Sequence, residues 1–177
     1  ADIAAIRAVS RLPIIGILKR WDDRFPVYIT PDFASAVAIA EAGADIIALD
    51  ATARPRDGEP LERLIGRIRN ELGKPIFADC ATLEDGVRAA ALGARYIATT
   101  LSGYTPETEA RKALGPDIDL IKALAKAVSV PIIAEGRFEQ PEQLEVAFAA
   151  GAHAVVVGTA ITNPREITRR FARHASV

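Results

Sequence analysis

Three side chains carry the chemistry this sequence offers. They are the lysine of "LPIIGILKR", the aspartate of "PIFAD" and the glutamate of "PIIAE", namely Lys19, Asp79 and Glu135. An amine and two carboxylates are groups that take a proton from carbon and return one. A lysine amine is also the nucleophile of Schiff-base chemistry. Each follows a proline that opens an apolar run. Asp79 and Glu135 stand four residues after Pro75 and Pro131, and Lys19 six after Pro13. Side chains of a strand alternate between two faces, so these even offsets put all three on one face. Singly, each has a plain structural role: Lys19 as a solvated strand end, Asp79 as a cap for a helix beginning near Thr82, Glu135 as a loop partner of Arg137. Their common parity on three like segments favours one site.

Six apolar segments position them, in two alternating kinds. Pro13, Pro75 and Pro131 open one kind; Gly43, Gly93 and Gly151 open the other, "GADIIALD", "GARYIATT" and "GAHAVVVG". All are short, rich in β-branched residues and apolar on both faces, as strands of a covered parallel sheet are. Amphipathic stretches such as "FASAVAIAEAG" and "PLERLIGRIRNELG" separate them. Gly43, Gly73, Gly93 and Gly151 sit where helices end. Thr30-Pro31, Thr105-Pro106 and Asn163-Pro164 read as N-cap plus N1 pairs.

The order is helix, then strand-helix six times, which means a parallel sheet, doubly wound or closed. Two alternating strand types match a barrel whose odd and even strands fill alternate interior layers. The expected fold class is α/β, a (β/α)8 TIM barrel. The visible strands are numbers 3 to 8, and a first strand pair of roughly 45 residues is absent from this sequence. Residues 1–177 are expected to form a single barrel domain. The alternative is a six-stranded doubly wound sheet.

In a barrel, chemistry sits at the strand C-termini. Strands 3 and 7 are opposite, so Lys19 and Glu135 are expected to face each other across the mouth. Asp79 lies between them, and Lys19 stands about 7 Å higher along its strand. Gly136 and Gly158 let backbone N–H groups approach a ligand closely, and a phosphate site after strands 7 and 8 is common in this architecture. Arg54 and Arg56, in "ATARPRDGE", are either a solvated loop or an attraction for an acidic substrate.

The totals exclude several classes. Net charge is −1 over 177 residues, which marks no polyanion binder, so no nucleic-acid partner is expected. One cysteine, Cys80, leaves no intramolecular disulfide and no Cys-based zinc site. No run approaches the roughly 20 apolar residues of a membrane span, and the N-terminus lacks a signal layout. A cytoplasmic protein without membrane partners or a metal is expected, and a homodimer is the expected assembly.

The ordered segments "LPIIGILKR", "YITP", "IALDATARPR", "ADCATLEDG", "TTLSGYT", "IAEGR" and "VVVGTAIT" resemble the N-acetylmannosamine-6-phosphate 2-epimerase family of bacterial sialic-acid catabolism. The resemblance runs from Leu12 to the C-terminus. It implies a cofactor-free (β/α)8 barrel that interconverts N-acetylmannosamine 6-phosphate and N-acetylglucosamine 6-phosphate by inverting C2. It makes Lys19 and Glu135 the catalytic pair and gives Asp79 the task of holding the phosphorylated amino sugar. Gly136, Arg137, Gly158 and Thr159 complete the expected binding set. The sequence departs from the family twice: no counterpart of its first two strands is present, and Asn163 stands where "ITRP" has arginine. Asn163 is expected to cap the last helix and to aim that helix's N–H groups at the phosphate. The rival readings are a Schiff-base lyase acting through Lys19 and a non-catalytic sugar-phosphate-binding remnant.

Overall fold

The computed structural model describes residues 2–175. After helix α1 (Asp2–Val9) come six strands: β1 (Ile15–Gly16), β2 (Ile46–Asp50), β3 (Ile76–Asp79), β4 (Tyr96–Ala98), β5 (Ile132–Glu135) and β6 (Ala154–Val156). Helices α2 (Phe33–Glu41), α3 (Leu61–Glu71), α4 (Leu83–Ala91), α5 (Ile118–Ala127) and α6 (Glu142–Ala149) connect them, and α7 (Thr159–Thr162) and α8 (Pro164–Ala172) follow β6. All five strand pairings are parallel, and each strand lies beside its sequence neighbours in the order β1-β2-β3-β4-β5-β6.

That order decides between the two α/β architectures. A doubly wound sheet reverses direction at a switch point. Here no reversal occurs, so right-handed crossovers put every connecting helix on one face. The structure follows this rule. Ile47, Leu49, Ile76, Ala78, Ile97, Ile132 and Ala134 face outward into one core with Ile39, Leu64, Ile68, Ile121 and Leu124 of the helices. Each fully buried isoleucine or leucine there contributes about 1.5–3 kcal/mol. The opposite parity, Ala48, Phe77, Ala98 and Ile133, forms a separate inner cluster. This is the wall of a (β/α) barrel.

The two strand types have a physical reason. Proline has no N–H to give the ladder, so it is tolerated at a strand start. Pro75 and Pro131 sit there and still accept: Ile47 N–H donates to the Pro75 carbonyl (3.0 Å) and Ile97 N–H to the Pro131 carbonyl (3.1 Å). The glycines before or at the other strands close helices in the left-handed conformation, with φ of 100° at Gly43, 94° at Gly93 and 106° at Gly151.

Three expectations require correction. The segment at Pro13 is regular for only two residues; Lys19 instead pairs antiparallel with Ile29 in a hairpin over 18–30. Thr30 is no helix cap. It is buried with φ 43°, its hydroxyl donates to the Ala48 carbonyl (2.6 Å), and Asp32 caps α2. Thr105 starts no helix either; its hydroxyl bonds that of Thr108, and Asp117 caps α5. In both places the side-chain oxygen finds another partner, a strand carbonyl for Thr30 and a loop hydroxyl for Thr105, that competes with capping.

Candidate active site

The C-terminal strand ends surround a cavity of about 820 Å³. Lys19, Tyr28, Thr100, Tyr104, Glu135, Gly136, Arg137, Gly158 and Thr159 are among the residues lining it. Six of the seven residues expected to form the site therefore share one cavity. The seventh, Asp79, lies beneath its floor and is 3% exposed.

The hairpin presents Lys19. Arg20 N–H donates to the Tyr28 carbonyl (2.9 Å), and Thr30 N–H to the Leu18 carbonyl (2.8 Å). Trp21 stacks on Tyr28, with ring centroids 3.8 Å apart, and the Lys19 Nζ stands 5.9 Å from the centre of the Tyr28 ring. The neighbouring charge has a different task. Arg20 pairs with Asp32 and with Asp57 (3.1 Å), tying the hairpin to the loop after β2. So "KR" divides into one cation facing the cavity and one brace.

The carboxyls occupy the inner face, as the parity requires. The plain structural roles for them are filled by others. Thr82 and Asp85 form the capping box of α4, and Arg137 is bonded elsewhere. Burial pushes the Asp79 carboxyl well up from its ordinary value, with nearby Glu135 and Asp50 adding to the effect; the Thr100 hydroxyl and Lys19 oppose it. Burial also raises Glu135, against the pull of Thr100 and Lys19. Two desolvated carboxyls facing one amine hold protons more tightly than free carboxylates do.

This gives a stability prediction. A group whose folded pKa lies above its unfolded value stabilises fully below the unfolded value, and that contribution is lost as pH rises through the folded one. Asp79→Asn keeps an oxygen for Thr100 and cannot ionise. The variant is expected to resist urea better than the parent at about pH 8, with the advantage gone near about pH 4. Parallel curves at both pH values exclude an ionisable Asp79 in the folded state.

The run "TTLSGYT" turns out to be the site's framework. The Thr99 hydroxyl donates to the Glu135 carbonyl (2.9 Å) and accepts from the Glu135 N–H (3.0 Å), clamping the end of β5. The Thr100 hydroxyl donates to Asp79 Oδ1 (2.6 Å). The Ser102 hydroxyl donates to Asp117 (2.6 Å). Gly103 has φ 83°, and a Cβ there would stand 2.5 Å from Arg137 Nη1, so only glycine lets that guanidinium pass. Tyr104 reaches the cavity. Thr99 and Thr100 carry no charge to mark them in the sequence; adjacent hydroxyls at a strand end are their signal.

Arginines divide the same way. Arg137, itself left-handed at φ 61°, donates to the carbonyls of Gly115 (2.5 Å) and Ser102. Arg54 pairs with buried Asp50 (2.6 Å), and Arg56 donates to the carbonyls of Asp50 (2.9 Å) and Thr52 (3.3 Å). These two clamp the end of β2 and are not solvated loop charges. Asn163 does cap α8, accepting from Glu166 N–H (3.3 Å). It does not line the cavity. The helix start that does is that of α7, at Gly158 and Thr159. Arg169 and Arg170 of α8 line the cavity too, with Arg173 at the helix C-cap, three and four residues on. Arg169 pairs with Glu166 (2.8 Å) and Arg170 donates to the Glu139 carbonyl (2.7 Å).

Among the described residues, no group of three His, Cys, Asp or Glu could hold a metal ion, and no helix is long and apolar enough to cross a membrane.

A family model described as "Putative N-acetylmannosamine-6-phosphate epimerase" matches residues 1–176. A "Putative N-acetylmannosamine-6-phosphate 2-epimerase" of Thermosynechococcus vestitus is 53% identical over 162 residues, covering 92% of this chain and 70% of that protein. One of the same description from Clostridium perfringens strain SM101 is 43% identical over 171 residues, covering 96% of this chain and 76% of that protein. The solved N-acetylmannosamine-6-phosphate 2-epimerase of Clostridium perfringens superposes with a TM-score of 0.92 at 42% identity, over 98% of this chain and 75% of that one. FabK of Thermotoga maritima, at 18% identity and a TM-score of 0.59, shares the fold alone. With its barrel wall, its strand-end cavity and these matches across nearly its whole length, the chain belongs to the N-acetylmannosamine-6-phosphate epimerase family.

Proposed function

We propose that this chain interconverts N-acetylmannosamine 6-phosphate and N-acetylglucosamine 6-phosphate by removing and returning the proton at C2. The observation that carries the reading is the placement of Lys19 and Glu135 in one cavity at the strand C-termini, over a buried carboxyl.

The C2 hydrogen is acidic only when C1 is an open-chain aldehyde. Its removal leaves an enolate, and inversion needs the proton returned on the other face. Lys19 and Glu135 come from the hairpin after β1 and from the end of β5, separate elements that suit opposite faces of one carbon. The raised Glu135 pKa makes it a better proton carrier near neutrality. Asp79 supports the sugar hydroxyls through Thr100. Backbone N–H groups at Gly136, Gly158 and Thr159 receive the phosphate, with Arg137 fixing the loop above them. The α8 arginines make that side of the cavity cationic, in keeping with a dianionic group. No cofactor or metal enters this scheme. The protein acts as a cytoplasmic homodimer.

In D2O, the C2 hydrogen of N-acetylmannosamine 6-phosphate is expected to exchange as N-acetylglucosamine 6-phosphate forms. The same rate is expected after exhaustive EDTA dialysis with no nucleotide added. Product without C2 deuterium, or activity that returns only with a metal, overturns the scheme.

A further inference from the structure

Thr100 has a position that its supporting part in the scheme above does not account for. Strand β4 lies between β3 and β5. Its register sets Ala98 beside Asp79 on one side and beside Ile133 on the other. Two residues on, with the same inward parity, Thr100 comes between the Asp79 carboxyl below the floor and the Glu135 carboxyl at the wall. It lines the cavity and donates to Asp79 Oδ1 at 2.6 Å. Thr99 fixes the Glu135 peptide from both sides, so that carboxyl cannot swing away by moving its backbone.

We propose that Thr100 is a positioning and proton-relay residue that passes one proton between Glu135 and the buried Asp79. This rests on the epimerase reading for its purpose. A hydroxyl is both donor and acceptor. When Glu135 has taken a proton from C2, its O–H bonds to Thr100 Oγ1. The Thr100 O–H proton moves to Asp79 Oδ1 as the Glu135 proton arrives on Oγ1. One O–H bond breaks and one forms at Thr100, Glu135 returns to carboxylate, and Asp79 becomes the neutral acid. The reverse transfer reloads Glu135. Net charge is unchanged: the negative charge passes from the floor to the cavity wall, where it is less costly, and returns in the reverse transfer. Burial raises both carboxyls, and the hydroxyl pulls both the other way.

The other charged or titratable groups facing this pair are Lys19 and Tyr28 from the hairpin, Asp50 from β2 and Tyr104 from the loop after β4. Asp50 is held by Arg54, so Asp79 is the proton store the geometry leaves. Such a store lets Glu135 change protonation state while a bound sugar closes it off from water.

The test uses the full chain with Thr100→Val, Thr100→Ser, Asp79→Asn and the Thr100→Val/Asp79→Asn double variant. Side-chain 13C NMR first follows the two carboxyls against pH without substrate. Thr100→Val is expected to move both midpoints upward, and Thr100→Ser to restore them. A shift at Asp79 alone makes the hydroxyl a local structural bond and overturns the relay. Exchange of the C2 hydrogen then supplies the kinetic readout. Thr100→Val and Asp79→Asn are each expected to lower kcat by about 10-fold or more with KM little changed, in the range of acid–base contributions. The double variant is expected to be no slower than either single one, since both break one path. Multiplicative losses overturn the proposal. A parent enzyme that exchanges no C2 hydrogen refutes the epimerase reading itself, and the carboxyl titration still decides whether Thr100 joins the two groups.

Discussion

Lys19→Ala is expected to abolish C2 inversion and leave the fold in place. The side chain is exposed at the cavity wall, and no hydrophobic cluster includes it. The hairpin that carries it is held by backbone bonds of Leu18, Arg20, Tyr28 and Thr30 and by the Arg20 ion pair with Asp57. None of these needs the Lys19 amine. In the proposed scheme its loss removes one of two proton carriers at C2, worth about 10²–10⁴-fold for each such group, and the loss is greater if the two act as a unit. Proton NMR in D2O reads both losses at once, because C2 exchange and product formation should stop together while the melting temperature holds. Exchange at near the parent rate removes Lys19 from the chemistry. Exchange without inversion assigns Lys19 to one face and another group to the first deprotonation.

Glu135→Gln is the second large effect. Glutamine keeps the shape and the backbone clamp from Thr99 but carries no transferable proton at neutral pH. The expected outcome is a fall in kcat of about 10²–10⁴-fold with a small change in KM. The pH dependence follows from the direction of the Glu135 shift. As a base it works in the carboxylate form, so kcat rises with pH through its folded pKa. Burial raises that value, which displaces the acidic limb upward from an ordinary glutamate. The limb should vanish in Glu135→Gln. If KM alone rises and the limb persists, Glu135 binds the sugar and the paired scheme fails.

Much of this was readable in the chain because it is local and periodic. The proline and Gly-Ala openings place strands where a ladder tolerates a missing N–H and where a helix must close in a left-handed turn. The even spacing from Pro75 and Pro131 puts Asp79 and Glu135 on one face, since alternation in a strand has a strict period of two. The apolar character of both faces implies a covered parallel sheet. The charged strand ends mark the functional rim. What the sequence could not supply is partner choice at a distance. Lys19 reaches the cavity on a hairpin rather than a strand, because residues 18–30 pair with each other. Arg54, Arg56 and Arg137 look like free cations until the fold brings carbonyls and a buried aspartate to them. Asp79 and Glu135 look equivalent in sequence, yet one is sealed under the floor and the other lines the cavity, and Thr100 is what separates them. Such assignments depend on which strands become neighbours and on how much water is excluded between them. A one-dimensional pattern carries the facing of each side chain, while burial and long-range hydrogen bonds exist only once the sheet has curled and the loops have met.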